Sequence, residues 1–332
     1  KVIVRGYSSL ASNAPLYVID GVPISNGAMG SHGLNNSIDF GNQAADINPE
    51  DVESITVLKG ASATALYGSR AGNGAILITT KRGSQNEDVK VTYDGSFQAS
   101  TVLRIPQLQD KFGAGWFYSP DGNPFGNYSM TENGSWGNLL DGRRVEWRPG
   151  AHQYNGADPS FTDFSFKKNS LKNFYATGFE TNNTVSVKGG SKTTGFVASY
   201  GNIYSNGILP GSNDYYKRHN FSFRGNTKIN DGLAWLNYSI NYIRKDVRNN
   251  MTGQGSGGAT IYQNIIQYPV NVDYGELKDY KSIYNNADNY YTPYAMNPWW
   301  ILDHNYSTYS DARIFGNIEF GLQLTKGLQF LT

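Results

Sequence analysis

The sequence predicts an α+β domain followed by part of an antiparallel transmembrane β-barrel. Three observations carry this: a change of texture near residue 83, two-residue alternation in six later segments, and tight turns that alternate with long connections. The predicted organisation is an α+β domain over 1–83, a polar linker over 84–87 and barrel strands over 88–332.

The first region mixes short apolar strands with helix signals. Leu16-Tyr17-Val18-Ile19 runs into Asp20-Gly21, a pair that tolerates positive φ and closes a strand. Asn48-Pro49-Glu50-Asp51 reads as a helix start, with Asn48 as N-cap, Pro49 preset for the first helical position and acids at the positive dipole end. A strand from Glu53 to Leu58 follows. Ala61 to Leu66 has helical composition, Gly68 is a natural stop, and Gly74 to Thr80 returns as an apolar strand.

From residue 88 the alternation places successive side chains on opposite faces of a sheet. Val89, Val91, Tyr93, Phe97 and Ala99 share one face, opposite Lys90, Thr92, Asp94 and Gln98. The same pattern recurs around Val185, Phe196, Phe221, Leu236 and Ile314, giving six strands, and Leu328 onward begins a seventh. Tight turns are expected near Ser191 to Thr194, at Asn230-Asp231-Gly232 and at Lys326-Gly327. Between them lie long connections at 101–181, 206–214 and 248–308, rich in Tyr, Asn, Gly and Trp. A soluble sandwich also alternates faces, but connections this long are rare in compact soluble domains.

Composition narrows the function classes. Of 332 residues, 28 are Lys or Arg and 27 Asp or Glu, so a net charge of +1 offers no field for gathering nucleic acid. The 38 Gly, 24 Tyr and 16 Phe suit strands and turns. With no Cys, neither a disulfide framework nor a thiolate site is available, and no apolar run is long enough for a transmembrane helix. The chain starts at Lys1 without a signal-peptide pattern, so the natural N-terminus is expected upstream.

Residues 46–83, Asp46-Ile47-Asn48-Pro49-Glu50-Asp51 through Gly60-Ala61-Ser62 and Tyr67-Gly68-Ser69-Arg70 to Gly74-Ala75-Ile76, closely resemble the plug signature of SusC-like TonB-dependent outer-membrane transporters. Pro15 to Pro23 resembles the family's earlier plug strand, and Val185 to Gly190 and Tyr215 to Arg218 resemble its early barrel strands. The signature positions are Asp20, Gly21, Asn48, Pro49, Glu53, Lys59, Ala61, Tyr67, Gly68, Arg70 and Gly74. Gly60 stands where the family commonly has Asp, and Gly72 where Ala is common.

The resemblance implies a 22-stranded barrel in the cell outer membrane with the plug inside it. It also implies a SusD-like surface lipoprotein above, TonB as the energy source and a glycan or peptide as substrate. Strands beyond Thr332 would close the barrel, because an open edge in lipid leaves backbone groups unpaired. The TonB-contacting segment would precede Lys1.

Active import of an oligomeric nutrient is the leading reading, with no cofactor and no bond made or broken. A barrel of this kind serving as a structural subunit of an outer-membrane complex is the alternative, and a soluble β-rich enzyme comes third. The Gly-rich run Gly68 to Gly74 lacks the Gly-Lys-Ser/Thr ending of a phosphate loop, and the four histidines lack metal-ligand spacing. Arg5 or Arg70 is expected to pair with an inward acid such as Glu319, or else to be solvated in the lumen. The loop aromatics Trp116, Phe117, Tyr118, Trp136, Trp147, Tyr290, Tyr291, Trp299 and Trp300 either stack on ligand or lid, or cement the loops; the structural role is favoured.

Overall fold

The structure is a computed structural model that describes residues 2–4, 6, 13–24, 28–31, 37–116, 127–129, 132–147, 160–230, 233–252, 260–280, 295–325 and 328–331. The first domain is built on a sheet of order β2-β1-β6-β5, formed by β1 (Leu16–Ile19), β2 (Val22–Ile24), β5 (Val52–Leu58) and β6 (Ala75–Thr80). A hairpin of β3 (Ala28–Ser31) and β4 (Ile38–Asn42) lies beside it. Central strand β1 is buried on both faces because its alternate residues enter two cores. Tyr17 and Ile19 join Ile76 and Ile78, while Leu16 and Val18 pack with Ala63 of α1 (Ala61–Tyr67) and with Ala71. Edge strand β5 leaves Ile55 and Val57 exposed.

The expected helix at Asn48 is a single 3-10 turn, Pro49–Asp51. Asn48 caps it by accepting from the Glu50 amide, but β5 starts at Val52 and leaves no room to propagate. Gly60 has φ 62 and ψ −133, a region that side chains disfavour and glycine adopts freely. The run Gly68–Ala71 is a 3-10 turn and leads into β6, not into a helix with a free N-terminus.

The second region is a seven-stranded antiparallel wall in chain order: β7 (Lys90–Ser100), β12 (Gly178–Gly190), β13 (Thr194–Asn206), β14 (Tyr215–Ile229), β15 (Ala234–Asn250), β16 (Tyr306–Thr325) and β17 (Leu328–Leu331). The strands run further than alternation alone indicated, so the long connections span 101–177, 207–214 and 251–305. The Arg-Asn-Asn end of β15 has no apolar alternation, yet it pairs in register with Tyr306, Ser307 and Thr308. At 17 and 20 residues, β15 and β16 exceed the roughly 9–11 needed to cross a bilayer.

The long connections carry short strands, β8 (Gly115–Trp116), β9 (Asn127–Tyr128), β10 (Arg144–Trp147) and β11 (Ser160–Asp163), and helices α2 (Ser170–Phe174), α3 (Ile261–Ile266) and α4 (Pro298–His304). The short turns and the linker from the first domain lie at the opposite rim. The expected Lys326-Gly327 turn, with Asp231 and Gly232, lies outside the described residues.

The alternating residues sort as the pattern requires. Phe221, Phe223, Ile240, Ile314 and Ile318 are exposed on one face, while the polar set Arg218, Asn220, Ser222, Arg224, Asn241 and Lys245 is buried on the other. The buried set faces the first domain. No helix among the described residues is long and apolar enough to cross a membrane.

Candidate functional site

The seam between the plug and the wall is polar and charged, and its geometry begins with two tight turns. The 3-10 turns Ala44–Asp46 and Pro49–Asp51 present Asp46, Asn48 and Asp51 to the wall. Asp46, 2% exposed, meets three neighbouring strands. Lys245 Nζ of β15 lies 2.9 Å from its Oδ2, Arg313 of β16 bonds the same oxygen, and the Tyr216 hydroxyl of β14 donates to Oδ1 at 3.2 Å. Wall side chains also take the turn's carbonyls: Asn220 Nδ2 donates to Asp46 O and Arg218 Nη1 to Ala45 O, each at 2.7 Å. Lys245 is fully buried, with its ammonium over the Tyr309 ring.

A second cluster is looser. Asp51 accepts from Ser199 Oγ at 2.6 Å and Ser222 Oγ at 3.2 Å. Arg224 approaches Asp51 only to 3.7 Å and Asp20 to 4.0 Å, while its firm bond goes to Asn241 Oδ1 at 3.0 Å. Asp20 is held from its own domain by the Thr80 amide and hydroxyl. Cavities of about 10 and 20 Å³ adjoin Arg224. The carboxylates of Asp20, Asp46 and Asp51 therefore face buried Arg224 and Lys245 and the partly exposed Arg313. A charge is tolerated in such surroundings only while paired and hydrogen-bonded.

Between the two turns, Asn48 donates from Nδ2 to Thr184 Oγ1 of β12 at 3.2 Å. Gly201 permits this approach, since a Cβ there would stand 2.8 Å from Asn48 Nδ2. The linker is fastened to the wall as well. Asn226 Nδ2 donates to Gly83 O at 2.6 Å, the Asn86 amide to Ser191 O at 2.7 Å and the Gly190 amide to Glu87 O at 2.8 Å. Lys188 pairs with Glu87 and holds its carboxyl below the usual range.

The plug-wall contacts among the described residues use other side chains than the expected pair. Arg70 is exposed in its 3-10 turn and makes no ion pair among the described residues, because the turn lies beyond α1 rather than on the 43–51 segment that meets the wall. Glu319 does face inward, yet it accepts from Asn237 Nδ2 at 2.9 Å and shares a cavity with Arg82 and Arg224. Arg5 lies outside the described residues.

Among the signature positions, Asp20 and Asn48 reach the seam, Gly21 (φ 87) and Gly74 (φ 96) form turns, and Pro49 starts its 3-10 turn. Glu53, Lys59, Ala61, Gly68 and Arg70 are exposed, and Tyr67 packs on the α1 core.

The aromatics divide. Trp299 donates from Nε1 to Tyr274 O at 2.8 Å and packs edge-on against Phe174 in a core that joins α2, α3 and α4. Trp300 packs against that core and stacks on His304. Trp116 and Trp136 remain exposed on adjacent loop segments, joined by the bond from the Trp136 amide to Gly115 O. Trp147 ends β10; its side chain, together with Phe117, Tyr118, Tyr290 and Tyr291, lies outside the described residues. In the 207–214 connection, burial pushes the Asp214 carboxyl up to about 6.

Residues 1–75 match the family model of the TonB-dependent receptor plug domain. The TonB-dependent receptor SusC of Bacteroides thetaiotaomicron is 31% identical over 314 residues, covering 90% of this chain and 26% of that protein. The TonB-dependent receptor P26 of Formosa agariphila is 28% identical, covering 78% of this chain and 22% of its own length. The chain thus spans about a quarter of these relatives. Among solved structures, a chain of the RagAB peptide importer in its closed-closed state superposes with a TM-score of 0.61 at 20% identity, over 99% of this chain and 35% of that one. That likeness shows the fold.

Proposed function

This chain belongs to the SusC-like TonB-dependent receptors, and from that premise we propose that the intact protein imports an oligomeric nutrient, glycan or peptide, across the outer membrane. The plug blocks the barrel at rest, TonB supplies the pull from the inner membrane, and a SusD-like lipoprotein covers the outer rim. The observation that carries this reading is the charged seam.

A plug cemented by apolar packing would resist removal in proportion to its buried area. One held by directed ion pairs can instead let go in steps, each bare charge being taken up by water as the lumen opens. The Arg224 cluster, with long pairs and adjoining space, is the step expected to give first. The Asp46 cluster is the pin. Exposed Trp116 and Trp136 are the aromatics proposed to meet ligand or lid, since flat rings suit both sugars and peptides.

The test is uptake of fluorescent oligosaccharide and oligopeptide pools by cells carrying the full-length protein, with and without TonB. TonB-dependent accumulation of either pool supports import. Full assembly without uptake, and co-purification with other outer-membrane machinery but no ligand, would establish the scaffold role instead.

A further inference from the structure

The three long connections share one apolar core. Leu171 and Phe174 come from the first, Leu209 from the second, and Ile265, Ile301 and Leu302 from the third. The core ends in α4, and the last carbonyls of any helix lack amide partners within the helix. The end of β15 supplies donors. Asn250 Nδ2 donates to Asn305 O at 3.0 Å and reaches Ile301 O at 3.3 Å and Leu302 O at 3.5 Å, while Arg248 Nη2 donates to Leu302 O at 3.3 Å. Asn250 is 5% exposed, so this grip is closed to water.

The same strand end holds the plug. Asn249 Nδ2 donates to Asp39 O at 2.5 Å and Lys245 Nζ to Phe40 O at 3.4 Å. Just past the strand, the Thr252 amide donates to Ser37 O at 2.8 Å and the Ser37 amide to Thr252 O at 2.9 Å, a backbone bridge between the two regions. The Thr252 hydroxyl adds a bond to Ser37 O at 3.0 Å. Successive side chains of a strand point to opposite faces, so Asn249 and Asn250 are adjacent in sequence yet serve different partners. A displacement of α4 that drags Asn250 therefore drags Asn249 and Thr252 as well. Two buried atoms here, Asn250 Oδ1 and Arg248 Nε, have no partner among the described residues, so a second arrangement of the strand end can satisfy groups that this one leaves bare.

We propose that the 245–252 segment, with Asn250 as its positioning residue, couples the loop core to the plug, so that loosening either one loosens the other. Such coupling is reciprocal by thermodynamic necessity, and a factor of about ten is ordinary for it. A ligand or partner that grips α4 differently in the two arrangements then acts on the plug without touching it. The inference goes beyond the import reading and is the same for an importer and for a scaffold. Proximity does not establish coupling, so the test cuts the connection on each side in turn.

The full-length protein, extracted from native membranes in mild detergent, is examined by hydrogen exchange over residues 37–46 and by limited proteolysis between 260 and 305. Trp299→Ala, which loosens the loop core, should speed exchange over 37–46 about tenfold in the otherwise unaltered protein. In an Asn250→Ala background, cut on the core side, the same substitution should change that exchange by less than about twofold. Thr252→Pro cuts the plug side by removing the amide and hydroxyl that bond Ser37 O, and it should uncouple equally. Reciprocity requires Asp46→Asn to speed cutting between 260 and 305 by a similar factor. Exchange that stays within about twofold after Trp299→Ala overturns the coupling, and a full response that persists in both cut backgrounds overturns its assignment to this segment. Where Asn250→Ala fails to assemble, Thr252→Pro decides alone. Coupling without TonB-dependent uptake refutes the import reading only; uptake without coupling refutes this inference only.

Discussion

Replacing Asp46 with Asn tests the pin directly. The substitution keeps the shape of the side chain but removes the charge on which Lys245 and Arg313 converge. Lys245 is 0% exposed, so it cannot recover its loss from water without moving the turn. Removing one partner of a buried ion pair typically costs about 3–5 kcal/mol. Arg313 is partly exposed and relaxes more easily, which favours the lower end.

About 3 kcal/mol corresponds to a roughly 100-fold rise in the open population of the 43–51 segment. Hydrogen exchange in the full-length protein reads this at the Asp46 and Asp51 amides, which close the two turns by bonding to Gln43 O and Asn48 O. Lys245→Met combined with Asp46→Asn should recover part of the loss, with a coupling of about 1–3 kcal/mol. Exchange changed less than twofold in the single variant, or strictly additive effects in the pair, would refute the assignment of Asp46 as the pin.

Asp214 has its folded pKa raised to about 6 by burial, so its stabilising contribution is full below about pH 4 and is lost as pH rises through 6. Asp214→Asn should therefore firm the 207–214 connection by about 1 kcal/mol at pH 7, after allowance for partial exposure, and by nothing at pH 4; exchange at Gly207 compared between the two proteins across pH checks this. Gly201→Ala should displace Asn48 and forfeit its bond to Thr184, costing about 1–2 kcal/mol of plug retention by the same exchange measurement. Trp299→Ala should cost the loop core about 3 kcal/mol and speed limited proteolysis between 260 and 305, whereas Trp116→Ala should leave that cutting rate unchanged. Arg70→Ala should leave plug exchange within about 0.5 kcal/mol of the unaltered protein, since its side chain is exposed and unpaired among the described residues.

The wall was legible because each strand solves the same problem alone. Phe221, Phe223, Ile240 and Ile314 need no knowledge of one another to mark one apolar face of a sheet, and period-2 alternation is a local signal. The seam is a different problem. Asp46 meets Lys245 across 199 residues and Arg313 across 267, and no spacing rule joins such positions.

A weaker signal did exist within single strands. Arg218, Arg224, Lys245 and Arg313 all fall on the face opposite the apolar one, and a row of cations inside a wall has to be answered by acids from whatever fills it. The expected pairing of Arg5 or Arg70 with Glu319 puts the cation on the plug and the acid on the wall. The seam among the described residues has the opposite polarity, with the carboxylates Asp20, Asp46 and Asp51 on the plug and the cations on the strands. The reversal has a physical reason. The carboxylates sit on short side chains in turns that fix them tightly, whereas Lys and Arg reach from a pleated surface across the gap and can follow the plug for some distance before contact is lost. If the plug moves as the proposed import requires, long side chains on the wall and short ones on the plug would make a seam that yields gradually.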